Sequence, residues 1–188
     1  MSGSILDKVF ASVLSSIDDE SVRAELEAQQ KGFETLELPD ELCNELAEEE
    51  LASESIYAQL RDMSMARKIK LALVGNKLAR TLLMRDSSRQ VAVLVLENPR
   101  ITEQEVFEAA GNVNIDDSIL RAIGENRSWM KSYATKWALV SNPKTPIDIS
   151  LKWLKFLNPK ELERLSKSKG IPQVVASQSR KLVEKRNS

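Results

Sequence analysis

The sequence predicts an all-α protein whose larger C-terminal part is a short solenoid of helical repeats. From residue 63 onward, apolar residues recur at helical spacing in segments of about ten residues, and none of these segments alternates as a strand would. The turns between the segments repeat a motif in which proline follows asparagine. A short helix cannot bury its apolar face alone, so helices of this length are expected to stack and share a core.

The first 62 residues are predicted to form an acidic helical segment. Over residues 4–17 the apolar side chains fall on one stripe of a helix, which Ser4 can cap. A weaker helix follows Asp18, and Pro39 opens a further, acidic helix. The polar face of the first helix lacks the basic residues typical of membrane-surface helices, so we expect this helix to pack on protein.

Residues 63–188 are predicted to form a series of short helices. Leucine, isoleucine or valine recurs at helical spacing in each segment of the series. The segments are 65–74, 77–84, 88–96, 103–110, 117–123, 129–140, 147–157, 160–166 and 172–185. Their shortness favours stacked helix pairs over one long bundle.

The turns share an asparagine–proline–basic motif. It occupies residues 98–100, 142–144 and 158–160. Proline after asparagine stops one helix and sets the direction of the next. After the first copy, Thr102 and Glu105 have the spacing of a capping box. After the second copy, 44 residues later, Thr145 is predicted to cap a helix whose first residue is Pro146.

In residues 75–86, 98–102 and 142–146 the chain resembles bacterial HEAT-like and leucine-rich-repeat-variant proteins, whose helical repeats are joined by Asn-Pro-x-Thr-Pro turns. The resemblance covers roughly residues 68–186 and implies a right-handed stack of helices that offers an extended surface to a partner. It departs from the iron–sulfur type of variant repeat, which needs a cysteine cluster, and the turn at 112–115 has no proline. The expected fold is an α-solenoid of HEAT-like repeats preceded by the acidic helical segment.

The residue types that most enzymes and metal sites require are missing from the sequence. Histidine does not occur, which excludes the usual catalytic triads and most transition-metal sites. The single cysteine, Cys43, cannot form an internal disulfide or hold a zinc or iron–sulfur site. We therefore predict no catalytic residue, no cofactor and no metal. Carboxylate chemistry is the alternative, although helix capping explains Asp116 and Asp117 better.

The chain is expected to be cytoplasmic. Its N-terminus lacks the basic and apolar regions of a secretory signal, and no apolar run reaches the ~20 residues that span a bilayer. A lone cysteine also fits a reducing compartment.

Charge is distributed unevenly between two predicted parts, residues 1–62 and residues 63–188. The first part holds 16 acidic and 4 basic side chains, and the second holds 12 acidic and 23 basic side chains, a balance of +11. An asymmetry of this size suggests two segments with different functions, or two segments that attract each other.

Basic residues near the predicted turns are the candidate partner-binding residues. Because the turns of a solenoid align, we expect a basic ridge that includes the first-turn tryptophan of the helix predicted over 129–140. The candidates are Arg85, Arg89, Arg100, Arg127, Trp129, Lys131 and Lys144. Simple solubility is the alternative for the charges. Core packing is the alternative for Trp129, which with Tyr133 and Trp137 is predicted to share one face of that helix.

These observations favour a non-enzymatic scaffold that binds another protein. The alternative is a nucleic-acid-binding protein that uses the basic face of residues 63–188, with its tryptophans. The acidic segment opposes that alternative because it nearly cancels the basic charge.

Overall fold

A computed structural model describes residues 36–44 and 54–187, together with Ser15, Glu20, Arg23, Ala24 and Glu27. The described ranges contain ten α-helices and no strand, which confirms the all-α class. Apart from Ser15, the helix predicted over residues 4–17 lies outside the described residues, as does most of the one that follows it. Within the described ranges, no helix has both the length and the apolar character needed to cross a bilayer.

Ten helices follow one another through the described chain. They are α1 (Glu54–Asp62), α2 (Met65–Val74), α3 (Lys77–Leu83), α4 (Arg89–Leu94), α5 (Glu103–Gly111), α6 (Asp117–Glu125), α7 (Tyr133–Ser141), α8 (Ile147–Leu154), α9 (Pro159–Lys167) and α10 (Gln173–Asn187). Single 3₁₀ turns occupy Asp40–Leu42, Val95–Glu97 and Trp129–Lys131.

Several helices begin at side chains that accept a backbone hydrogen bond. The oxygen of the Asn76 side chain accepts from the Ala79 amide at the start of α3, and the Ser88 hydroxyl accepts from the Val91 amide at the start of α4. The capping box predicted for Thr102 and Glu105 is confirmed at the start of α5.

The capping prediction for Thr145 is wrong. Pro146 precedes α8 and Ile147 is its first residue, and no side chain caps this helix. The Thr145 hydroxyl instead donates a 2.6 Å hydrogen bond back to the carbonyl of Leu139 in α7. A buried hydroxyl must find a partner, and at this position the end of the preceding helix supplies it.

The helices pack in two rows. The even row contains α2, α4, α6, α8 and α10, each in contact with the next. The odd row contains α3, α5, α7 and α9. In the odd row α5 packs on α7, the Arg80–Glu105 ion pair joins α3 to α5, and the guanidinium of Arg164 in α9 lies 5.2 Å from the ring centre of Trp137 in α7. Consecutive helices pack on each other across the rows, as α2 does on α3 and α7 on α8.

Connections between the rows alternate between two edges. The first edge carries residues 75–76, 95–102, 126–132 and 155–158, which leave the even row. The second edge carries residues 84–88, 112–116, 142–146 and 168–172, which return to it. This alternation follows because each turn reverses the chain.

Side chains that lie in or just after one helix cap the C-terminal end of the preceding helix in the same row. In the even row, Nδ2 of Asn98 donates to the carbonyls of Ala72 and Gly75, at 2.8 and 3.2 Å. In the odd row, Nδ2 of Asn142 donates to the carbonyls of Ala110 and Asn112, at 2.9 and 3.1 Å. Carbonyls at helix ends lack partners within their own helix, so these amides satisfy them and set the register of the stack.

Two other residue types cap helix ends in the same way. Nε1 of Trp153 in α8 donates to the carbonyl of Gly124 near the end of α6, at 2.8 Å. The guanidinium of Arg186 in α10 donates to the carbonyls of Leu157 and Lys155 after α8, at 2.7 Å each. The C-terminal ends of helices in one row therefore meet at the same edge.

We expect Asn142→Ala to lower the free energy of unfolding by about 2 kcal/mol, because one buried and one partly buried carbonyl lose a donor. Asn112→Ala is the matched control. Asn112 forms the same local turn, in which its side-chain oxygen accepts from the amide of Asn114, but this bond is exposed. Urea denaturation of both variants measures the difference. An equal loss of unfolding free energy in the two variants would show that the local turn, and not the bonds to the two carbonyls, stabilises the fold.

The core continues across the division predicted at residue 62. Leu42, Ile56 and Leu60 are buried in the same cluster as the helices that follow. The segment 36–44 is held by Asn76, whose Nδ2 donates to the carbonyls of Glu41 and Asn44 at 2.8 Å each. A smaller core cluster lies between the ends of α7 and α8 and the helices α9 and α10. Residues 36–44 and 54–62 therefore pack as part of the helical structure.

Candidate functional site

The candidate residues do not form a single ridge. Because the turns alternate between edges, the candidates divide into two groups. The first edge carries Arg100, Arg127, Trp129 and Lys131, and the second edge carries Arg85, Arg89 and Lys144. The sequence analysis predicted that all of these turns lie along one edge. In the structure each turn reverses the chain, so successive turns lie at opposite edges.

Arg89 on the second edge is engaged within the molecule. Its guanidinium lies 3.4 Å from a carboxylate oxygen of Asp116 and 3.9 Å from one of Asp117. The carboxylate of Asp116 accepts hydrogen bonds from the amide and hydroxyl of Ser118, which hold the pKa of Asp116 below its ordinary value, and Arg89 adds to the effect. Asp116 therefore caps α6, as its position in the sequence indicated.

Trp129 lies in a 3₁₀ turn and not at the start of a helix. The helix predicted over 129–140 begins at Tyr133, and the hydroxyl of Ser132 caps it by accepting from the Thr135 amide. Trp129, Tyr133 and Trp137 therefore do not share a face of one helix. Trp129 is half-buried and packs against the main core, so only part of its ring is available to a partner.

A buried ion pair joins α3 to α5. Nε and Nη2 of Arg80 donate to the two carboxylate oxygens of Glu105 at 2.8 and 3.1 Å, and the two side chains are 3% and 7% exposed. Burial alone would raise the pKa of Glu105, but hydrogen bonds from Arg80 and Thr102 outweigh it and lower that pKa. Two separate pockets lie beside the ion pair, and Arg100 lines one of them while Arg85 lines the other.

An aromatic and basic cluster lies on the first edge at the end of α8. We name it the Phe156 cluster; it consists of Lys152, Trp153, Lys155 and Phe156. The two rings are tilted by 43° with centroids 5.4 Å apart. Nζ of Lys152 lies 5.3 Å from the ring centroid of Trp153, and Nζ of Lys155 lies 5.5 Å from that of Phe156. Phe156 is 54% exposed, which is unusual for so large an apolar side chain.

Tyr133 lies on the same edge, close to the turn that follows the Phe156 cluster. Its hydroxyl is hydrogen-bonded to the carboxylate of Glu161 and accepts from the amide of Asn158 at 3.0 Å. Partial burial, followed by the hydrogen bond to Glu161, raises the pKa of Tyr133. These contacts fix the turn 155–158, and with it the position of Phe156, against α7.

The residue pattern of 152–156 could have indicated the Phe156 cluster from the sequence. Residues 152–156, Lys-Trp-Leu-Lys-Phe, contain two lysines, each followed directly by an aromatic residue. Periodicity assigned the whole stretch to a helix over 147–157, whereas α8 ends at Leu154 and the chain turns there. The turn moves Phe156 off the buried face of the helix.

In the part of the chain that the structure describes, no three histidine, cysteine or acidic side chains form a group that could hold a metal ion.

Comparison with protein-family models, with curated proteins and with solved structures finds no match to this chain. The resemblance to HEAT-like and leucine-rich-repeat-variant proteins therefore stays a prediction.

Proposed function

We propose that the chain is a protein-interaction module in which the two rows of helices form a short α-solenoid and the first edge contacts the partner. The observation that carries this proposal is the Phe156 cluster, in which a half-exposed phenylalanine sits beside a tryptophan and two lysines. Large aromatic side chains left in solvent are typical anchors of protein interfaces, because a partner that covers them removes apolar area from water.

The row packing supports the same function. The C-terminal ends of α2, α5, α6 and α8 are capped by side chains that lie in or just after the next helix of the same row, so these helices present their turns at defined positions along an edge. A surface held in this way loses little conformational entropy when a partner binds. An extended, ordered edge is what helical-repeat scaffolds offer to their partners.

We expect the wild-type protein to capture a partner from a native lysate, and we expect Phe156→Ala to lose it while keeping the wild-type melting temperature. Nuclease treatment of the lysate tests the alternative function, since a complex that depends on nucleic acid would disappear. Quantitative mass spectrometry of the captured proteins measures both effects.

Tyr57→Ala is the matched control for this experiment. Tyr57 is an aromatic residue of α1, the first of the ten helices, and it is 51% exposed. Loss of the partner from the Tyr57 variant alone would place the interface elsewhere. Loss in both variants would point to nonspecific adhesion by exposed rings.

A further inference from the structure

One lysine ammonium group lies over each ring of the Phe156 cluster. A nucleic-acid base stacks on an open aromatic face, but Lys152 and Lys155 lie over the rings of Trp153 and Phe156. The indole nitrogen of Trp153 is also engaged, because it donates to the carbonyl of Gly124. The cluster therefore offers a partner two cations and the exposed part of Phe156 more readily than two free aromatic faces on which bases could stack.

The cations of the cluster have no carboxylate partner within the part of the chain that the structure describes. The surrounding helices increase the positive charge, since residues 147–187 hold ten basic and four acidic side chains. The guanidinium of Arg186 is fixed beside the cluster by its bond to the carbonyl of Lys155. A ligand that complements this surface carries negative charge.

We propose that the Phe156 cluster binds an acidic peptide segment of the partner protein. Carboxylates of the segment meet Lys152 and Lys155, and an apolar side chain between them packs on Phe156. This inference rests on the proposed function, because it names the chemistry of the partner at the same site.

The lysine–carboxylate contacts and the apolar contact with Phe156 contribute differently to binding. Exposed ion pairs contribute little each, so the lysines select for an acidic segment and make binding sensitive to salt. Phe156 contributes the larger share of affinity because covering its ring removes apolar area from water. A segment with carboxylates but no apolar residue is therefore expected to bind more weakly than one with both.

The test uses the full chain and a fluorescein-labelled peptide made of four Glu-Glu-Leu repeats, with fluorescence anisotropy as the readout. We expect Phe156→Ala to weaken binding about tenfold or more. Lys152→Glu is expected to weaken it about fivefold, and added salt to weaken it further. A peptide with glutamine in place of glutamate is expected not to bind.

Lys167→Glu is the matched control, because it changes the net charge equally but lies in α9, where the lysine is already paired with Glu163 at 2.6 Å. An equal loss in Lys152→Glu and Lys167→Glu would overturn the inference in favour of diffuse attraction. Tighter, Phe156-dependent binding of a twelve-nucleotide oligothymidine would overturn it in favour of nucleic acid. No binding of the acidic peptide would also overturn it, whereas Phe156-dependent capture of a protein from lysate would still support the proposed function.

Discussion

Replacing Arg80 with methionine is expected to lower the free energy of unfolding by about 3–5 kcal/mol at neutral pH. Methionine keeps much of the apolar stem of arginine but leaves the buried carboxylate of Glu105 without its cation. The carbonyl of Gly75 also loses a donor, since Nη1 of Arg80 lies 3.0 Å from it. Urea denaturation followed by circular dichroism measures the loss.

Arg121→Met is the matched control. The guanidinium of Arg121 donates to both carboxylate oxygens of Asp148, at 2.7 and 3.0 Å, so the geometry resembles that of the buried pair. The difference is exposure, since the side chains are 44% and 62% exposed. Water screens this pair, so we expect little change in stability. Equal losses in the two variants would show that burial does not decide the strength of the Arg80–Glu105 pair.

The pH dependence of the Arg80 variant follows from the pKa of Glu105. In the wild type this pKa is lowered, so the ion pair stabilises the fold above the ordinary pKa of glutamate, and the contribution is lost as the pH falls through the folded pKa. Without Arg80, burial acts against the charged carboxylate, and protonation relieves the penalty. The deficit of Arg80→Met is therefore expected to be largest at pH 7 and smaller at about pH 4. A deficit that is constant between these pH values would contradict the assignment.

Gly124→Val is expected to lower the free energy of unfolding by about 3 kcal/mol, the upper part of the range for overpacked cores. A Cβ atom at this position would lie 2.3 Å from Cγ2 of Ile149 in α8 and 3.2 Å from a methyl group of Leu139 in α7. Cγ2 of Ile149 is attached directly to its Cβ and cannot move aside without a shift of α8. The even row must therefore open between α6 and α8.

Gly111→Val is the control for this prediction, because a Cβ atom at Gly111 would meet nothing closer than Cβ of Ala138 at 4.0 Å. Both substitutions replace glycine with valine near the end of a helix, so the change in intrinsic helix propensity is the same and cancels when the two stability losses are compared. Thermal denaturation compares their stability, and the NMR shift of the Trp153 indole N–H reports on its bond to the Gly124 carbonyl. Similar melting temperatures in the two variants would show that α6 and α8 have room to separate.

Much of the helical structure was predictable from local sequence. The helix over 65–74 was predicted with the bounds that the structure has, and the capping box of Thr102 and Glu105 was correctly identified. Both depend on residues within one or two turns of each other. Apolar periodicity and capping side chains act at that range, so a short window of sequence contains them.

The burial and the partners of individual charged and aromatic side chains were not predictable from local sequence. Arg80, Arg85 and Arg89 are three basic residues around the turn at 84–88, and nothing in the sequence distinguishes Arg80 from the other two. In the structure, however, Arg80 is buried against a carboxylate 25 positions away. Trp129 was placed on a helix face, whereas the chain forms a 3₁₀ turn there and begins α7 at Tyr133. Phe156 was assigned to a helix, whereas the turn after α8 leaves it half-exposed.

The sequence by itself therefore determined the all-α class, the short helices and, to within one residue, where most of them begin. Only the tertiary structure decided which turns share an edge, which ion pair is buried and where aromatic rings meet solvent. The physical reason is the range of the contacts involved. The amide of Asn142 finds its carbonyl partner 32 residues earlier, and contacts at that distance exist only after the rows have stacked.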